Sequence, residues 1–374
     1  MIPFIDLMEQ YRRLKSEIGS GIQQVLEHGK YIMGPEVYEL ENRLADYVGV
    51  RHVISCSSGT DALLMPLMAW NIGKGDAVFT STFTFIATAE VVSLLGATPV
   101  FIDIDPGTWN IDPNSLEEKI RQTIAEGKLI PKVVIPVDIF GLPADYEAIE
   151  SIAAKYGIKV LEDAAQSFGG IYKGKKTGSF GNAAGTSFFP AKPLGCYGDG
   201  GAVLTDDDKL AGELRSIRAH GQGGDKYNNI RTGINGRLDT IQAAVLLAKL
   251  NVFDMELLRR NEIADKYTRG LRGVVKTQTI PDGCSSSWAQ YSIAVGSYDE
   301  REYIREKLTV CEIPTGIYYP RPLHLQEAFS YLGYSEGDFV VAEDVSKRIM
   351  SVPMHPYLPD ETIEKIIEII EISI

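Results

Sequence analysis

Beyond residue 50 the chain alternates short apolar runs with stretches whose apolar residues recur every three or four positions, and few folds accommodate that rhythm. The runs include His52-Val-Ile-Ser55, Pro99-Val-Phe-Ile-Asp103, Lys132-Val-Val-Ile-Pro-Val-Asp138 and Ile158-Lys-Val-Leu-Glu162, with a helical pattern such as Tyr146 to Tyr156 between them. Strands that take turns with helices predict an α/β fold around a large, mostly parallel sheet covered on its faces. Ahead of it, Leu7, Tyr11, Leu14, Ile18, Ile22 and Val25 mark an amphipathic first helix, and Val37, Leu40 and Leu44 a shorter second one. Two longer helical patterns fill Arg237 to Leu271. Tyr291-Ser-Ile-Ala-Val295, a charged helical stretch from Asp299, Thr315-Gly-Ile-Tyr-Tyr319 and a last helix through Ile363, Ile366, Ile367 and Ile370 then read as a smaller α+β domain. We therefore expect a large domain over 1–250, a small one over 251–374, and a first helix free to pack on the small domain.

At 374 residues the chain has room for about two domains and a core that excludes water from a site. Its net charge of −13 speaks against a nucleic-acid partner, which needs a basic face, but not against a small anion held by local amides. Cys56, Cys196, Cys284 and Cys311 are scattered without metal or CxxC spacing, which suggests a reduced, cytoplasmic protein. The N-terminus lacks the basic segment of a signal peptide, no apolar run reaches the ~18 residues of a membrane span, and the five histidines show no metal-binding cluster.

Lys192 stands between Pro190 and Pro193, ahead of Gly195, Gly198, Gly200 and Gly201. Two prolines exclude it from a helix interior, so a rigid loop presents it. Asp163 lies 29 positions upstream at the end of an apolar strand, in Leu-Glu-Asp163-Ala-Ala-Gln166. A loop-borne amine and a strand-terminal carboxylate are what pyridoxal phosphate (PLP) chemistry requires: the amine condenses with the cofactor aldehyde, and the carboxylate keeps the pyridine nitrogen protonated as an electron sink. Ser55-Cys-Ser-Ser-Gly59-Thr60 follows a strand and opens a helix, where backbone amides, the helix dipole and a hydroxyl favour a phosphate. A ligand-free helix cap is the plainer reading of that turn. Thr82-Phe83-Thr84-Phe85, after the next strand, offers an aromatic lid for a flat ring or simply core. Taken singly, Asp163 fits a helix cap and Lys192 a solvated charge. In this chain order, on a framework whose ligands gather at the carboxyl ends of strands, they point to one cofactor site.

These motifs resemble those of the DegT/DnrJ/EryC1/StrS group, from Phe4-Ile-Asp-Leu7 through Val352-Pro-Met-His-Pro-Tyr357. Ser187 to Gly201, Arg237-Leu-Asp-Thr-Ile-Gln-Ala-Ala244 and Met354-His-Pro-Tyr357 most resemble the members that aminate UDP-2-acetamido-2-deoxy-3-keto-glucuronic acid during O-antigen assembly. The resemblance implies a fold-type-I, aspartate aminotransferase-like PLP transferase that moves an amino group from L-glutamate to a UDP-linked keto sugar. It implies that Lys192 binds the cofactor covalently, Asp163 meets the ring nitrogen, Gln166 the ring hydroxyl, Gly59, Thr60 and Ser187 the phosphate, and Phe85 the ring face. It further implies a homodimer with shared sites, Asn235 reaching the neighbouring subunit's phosphate and Arg237 a substrate carboxylate. Tyr318 and Tyr319 fall where the substrate is expected, His220 reads either as lining the sugar site or as a structural loop histidine, and Arg321 and His324 nearby are further candidates. Tyr318 replaces a histidine common in similar enzymes, and Asp199 a glutamate. Alternatives are a C4 or 6-deoxy-3-keto sugar aminotransferase, and a non-catalytic PLP-binding regulator.

Overall fold

The computed structural model describes residues 2–225 and 227–374. Helices α1 (Leu7–His28) and α2 (Pro35–Val48) open the chain. Then β1 (His52–Cys56), α3 (Gly59–Ala69), β2 (Asp76–Ser81), α4 (Ala87–Leu94), β3 (Thr98–Ile102), α5 (Pro113–Glu126), β4 (Ile130–Ile135), α6 (Tyr146–Tyr156) and β5 (Lys159–Asp163) follow in strict alternation. A small hairpin of β6 (Ile171–Tyr172) and β7 (Lys175–Lys176) leads to β8 (Ala183–Ser187) and β9 (Gly201–Thr205), then α7 (Asp208–Ile217), α8 (Thr240–Leu250) and α9 (Phe253–Gly270). The chain finishes with β10 (Lys276–Thr277), β11 (Cys284–Ser285), β12 (Tyr291–Ala294), α10 (Tyr298–Val310), α11 (Val340–Arg348), β13 (Ile349–Val352) and α12 (Asp360–Glu371).

The expected mostly parallel sheet is present. Its seven strands run in the order β1-β9-β8-β5-β4-β2-β3, and only β9 is antiparallel to its neighbours. The carboxyl ends of β1, β2, β4, β5 and β8 therefore share one edge, and the amino end of antiparallel β9 joins them there. Both faces are dry. Ile54, Val78 and Leu161 pack with α3, α4 and α7 residues, while Phe79, Val134 and Val160 pack with residues of α5 and α6. The apolar runs of β1, β3, β4 and β5 mark four of these strands, and the α6 pattern coincides with Tyr146–Tyr156. Strand β8, Ala-Ala-Gly-Thr-Ser, carries no such signal. It is small because α3 crosses it closely: a Cβ on Gly185 would sit 3.0 Å from the Ala62 carbonyl oxygen.

A second core gathers Ile263 and Tyr267 of α9 with Tyr291, Ile293, Met350 and Val352 of the β10-β12-β13 sheet and Ile363 and Ile366 of α12. Thr315 to Tyr319 forms no strand, only a bridge from Gly316 to Ser351. The body of α1 lies on α8, where Leu14 and Ile18 meet Val245 and Ala248, while Gln10 donates to Glu256 of α9 at 3.0 Å and the Arg13 guanidinium lies 4.7 Å from the centroid of the Tyr357 ring. The segment before it also reaches that way, Ile2 joining the second core and the Phe4 ring lying 6.3 Å from that of Tyr318. No helix among the described residues is long and apolar enough to cross a membrane.

Candidate active site

Asp163 is the last residue of β5, and a strand buried on both faces delivers its carboxylate to the sheet edge with 4% of its surface exposed. Thr88 Oγ1 donates to Oδ2 at 2.8 Å and the Ala165 amide to Oδ1 at 3.2 Å. Burial raises its pKa, against these two donors and the positive charge of Lys192. Lys192 is half-buried in the loop joining β8 to β9, and burial lowers its pKa against the pull of Asp163. Each group thus lies within the field of the other, and each is pushed toward its neutral form. Behind them Glu162 and Asp138 are fully buried carboxyls, both raised by burial. Asp138 accepts from Ser167 Oγ at 2.6 Å and the Tyr146 hydroxyl at 2.7 Å, which pins the turn carrying Gln166.

The turn expected to take the phosphate closes around Gly59. A Cβ there would lie 2.7 Å from that of Ser187, so the ends of β1 and β8 meet with room for backbone only. Ser58 caps α3 by accepting from the Asp61 amide at 3.1 Å. The Gly59 and Thr60 amides in the first helical turn keep no acceptor among the described residues. From below, the buried pair Arg218 and Glu41 (2.5 Å) clamps Ser55: Glu41 accepts from its amide at 3.0 Å and Arg218 donates to its carbonyl at 2.9 Å. The aromatic pair divides its labour. Phe83 is wholly buried, whereas Phe85 is 56% exposed with its ring 6.4 Å from Tyr319. Gln166 accepts from the Phe140 amide at 2.8 Å and donates to the Tyr319 hydroxyl at 3.2 Å, so Gln166, Tyr319 and Phe85 form one connected wall. Burial raises the Tyr319 pKa.

The segment Ile234 to Leu238 borders this turn, since Ser57 donates to the Gly236 carbonyl at 3.1 Å. On it Asn235 is exposed, and the Arg237 Nε is buried with no hydrogen-bond partner among the described residues. His220 is exposed, in the left-handed region at φ 59°, and its amide bonds the Ile234 carbonyl at 2.9 Å. Tyr318 is half-buried and Arg321 exposed. His324 departs from its expected place at the substrate. It is 2% exposed, with Nδ1 2.7 Å from Thr82 Oγ1 and Nε2 3.0 Å from Glu343 Oε1, and so ties α11 to the end of β2. Thr88 is the partner that sequence reading missed, because it sits in the apolar-looking stretch Ala-Thr-Ala-Glu-Val-Val of α4. A cavity of about 630 Å³ between Arg51, Lys159 and Asp208 opens at the other edge of the sheet and contains none of these groups.

The donor set fits PLP: a lysine driven toward its neutral amine, an inward carboxylate, free helix-end amides beside a hydroxyl, and an uncovered aromatic face. Fold and site together define a PLP-dependent transferase. The DegT/DnrJ/EryC1/StrS aminotransferase family profile matches residues 12–371, and the chain belongs to that family. It is 48% identical over 365 residues to UDP-2-acetamido-2-deoxy-3-oxo-D-glucuronate aminotransferase of Pseudomonas aeruginosa, covering 97% of this chain and 98% of the relative. Among solved structures, a DegT DnrJ EryC1 StrS aminotransferase from Brucella abortus superimposes with a TM-score of 0.96 at 50% identity, over 99% of this chain and 98% of that one. Spr1654 of Streptococcus pneumoniae, solved in its PLP form, gives 0.88 at 27% identity over 96% of each chain. The protein is a PLP-dependent sugar-nucleotide aminotransferase.

Proposed function

We propose that this enzyme transfers the amino group of L-glutamate to the C3 ketone of UDP-2-acetamido-2-deoxy-3-keto-glucuronic acid, for a surface polysaccharide such as an O-antigen. The chemistry rests on one observation, the Asp163 and Lys192 pair sharing the carboxyl edge of the sheet with pKa values displaced toward neutrality. Support for the sugar is the 48% identity to the Pseudomonas aeruginosa relative over nearly the whole chain. The buried Arg237 Nε, without a hydrogen-bond partner among the described residues, suits a carboxylate, which both the donor and a uronic acid carry. The exposed Asn235 suits a homodimer in which each subunit completes its neighbour's phosphate site. A cytoplasmic location is consistent with four free thiols.

Bound at this edge, PLP supplies an electrophilic aldehyde and a ring that accepts the electron pair released at the donor α-carbon. Gly59, Thr60 and Ser187 would hold its phosphate, Phe85 one ring face, Gln166 its hydroxyl, Asp163 its nitrogen and Lys192 its aldehyde carbon. With the donor bound, the Lys192 amine would move the proton off the donor α-carbon, and in the second half-cycle it would deliver a proton to the sugar carbon that bore the ketone. Burial favours that role, because only the neutral amine acts as a base and a free lysine, with a pKa of about 10.4, is almost wholly protonated at pH 7. Tyr318, Tyr319 and His220 would line the sugar side, with Tyr319 bridging to Gln166.

Two measurements test this reading. Lys192→Ala is expected to fold normally and lose all transamination, and full turnover without added amine contradicts the assignment. Mass analysis of products from UDP- and dTDP-linked keto sugars with glutamate should show the 3-amino uronate formed fastest. Preferred amination at C4, or of a 6-deoxy-3-keto sugar, would replace the proposed substrate, and binding without turnover would make the chain a regulator.

A further inference from the structure

Helix α8 is apolar nearly all round, Thr-Ile-Gln-Ala-Ala-Val-Leu-Leu-Ala-Lys-Leu, yet its Lys249 is 1% exposed. A buried ammonium is costly where a methionine would fill the same volume, so its presence asks for a use. Its Nζ donates to the Gly195 carbonyl at 2.6 Å and lies 4.2 Å from the centroid of the Tyr197 ring, whose face suits a cation. No carboxylate forms an ion pair with it among the described residues. Gly195 is three residues beyond Lys192. Two turns earlier on the same helix, Gln242 accepts from the Tyr197 amide at 2.8 Å. The hairpin loop from Phe188 to Gly200 thus hangs on α8 by two side chains, and within it Lys192 donates its amide to Phe189 and Cys196 to Phe188, each at 2.8 Å. The loop is tight at Gly195, where a Cβ would come within 2.5 Å of the Pro190 carbonyl oxygen. Burial lowers the Lys249 pKa to about 8, and an amine in either protonation state can still donate.

We propose that Lys249 is a positioning residue: through its bond to the Gly195 carbonyl it fixes the turn that aims the Lys192 amine. This rests on the reading of Lys192 as the point of cofactor attachment. The buried amine contributes aim, since a catalytic group misplaced by about 1 Å can cost about 100-fold in rate.

The test uses full-length cofactor-free protein, prepared from the holoenzyme and mixed with PLP. Attachment is followed by trapping with borohydride and weighing the intact chain, alongside the melting temperature before PLP is added. Lys249→Met is expected to slow attachment by about 10- to 100-fold while moving the melting temperature by no more than about 3 °C. Attachment at the wild-type rate overturns the proposal, as does a slowed rate accompanied by a large fall in melting temperature, which would make Lys249 a packing residue. Should Lys249→Met fail to fold, Lys249→Gln decides, because its amide ends one atom short of the carbonyl. Slowed attachment with an unchanged melting temperature then upholds the contact, and the wild-type rate removes it. Lys192→Ala run in parallel separates the two readings. Covalent label on that variant sinks the attachment assignment and this proposal together, whereas none there, with wild-type attachment in Lys249→Met, sinks this proposal alone.

Discussion

Thr88→Val removes one hydroxyl and little volume, and it isolates what holds the Asp163 charge. Thr88 is 1% exposed and its Oγ1 donates to Asp163 Oδ2 at 2.8 Å, while the other carboxylate oxygen has only the longer 3.2 Å bond from Ala165. A hydrogen bond to a charged group contributes about 1.5–3 kcal/mol, and where water cannot replace it that sum falls on the ionised form alone. The carboxylate is already disfavoured by burial, so the valine pushes its pKa further up. A protonated Asp163 does not hold a protonated ring nitrogen, so PLP affinity should fall, most at low pH and at the limit by about 150-fold, the whole loss converted at 1.4 kcal/mol per decade. The sign of the pH dependence follows. A raised carboxyl pKa means the needed charge disappears as pH drops, so the acid limb of the activity profile should move to higher pH. Titrating the cofactor-free protein with PLP by fluorescence quenching measures the affinity, and Thr88→Ser, which keeps the donor, should stay close to wild type. A valine variant that binds PLP within about twofold of wild type, a difference under 1 kcal/mol, with an unmoved acid limb refutes the assigned role of the Thr88 bond.

Gly59→Ala places a methyl 2.7 Å from Ser187 Cβ and 3.0 Å from its Oγ, an overpacking worth about 1–3 kcal/mol. Because it spreads the two strand ends proposed to cradle the phosphate, PLP affinity should drop along with the denaturant midpoint, and wild-type values of both would contradict the cradle. His355 is buried beside Arg260, and burial first, then the arginine charge, depress its pKa to about 4 against the pull of Asp6 and the Pro3 backbone. A depressed value means this stability term is present above the ordinary 6.5 and is lost as pH falls toward 4, about 2.5 units at 1.36 kcal/mol each, or about 3 kcal/mol. His355→Gln should therefore flatten the fall in urea midpoint between pH 7 and 4.5, and an unchanged slope would show that another group titrates there.

What could be read from sequence alone divides along a physical line. Strands buried on both faces announce themselves, as Val-Val-Ile in β4 does, because burial selects branched apolar residues. Lys192 was legible because Pro190 and Pro193 exclude a helix, and Gly59 because a glycine between a strand and a helix leaves the backbone open. Strand β8 was not, since its residues answer to the close approach of α3, which lies more than a hundred positions earlier. Thr88 and Lys249 stayed hidden for the same reason: each sits in an apolar-looking helix, and its meaning lies in Asp163 or Gly195 across the fold. His324 shows the converse error, in which a polar residue in a suggestive loop spends both ring nitrogens on Thr82 and Glu343 and has none left for a substrate. A side chain's chemistry is set by which of its polar atoms remain unspent after folding. That is why the Arg237 Nε and the amides of Gly59 and Thr60, rather than every charged residue near the cleft, are the groups on which substrate and phosphate binding should depend.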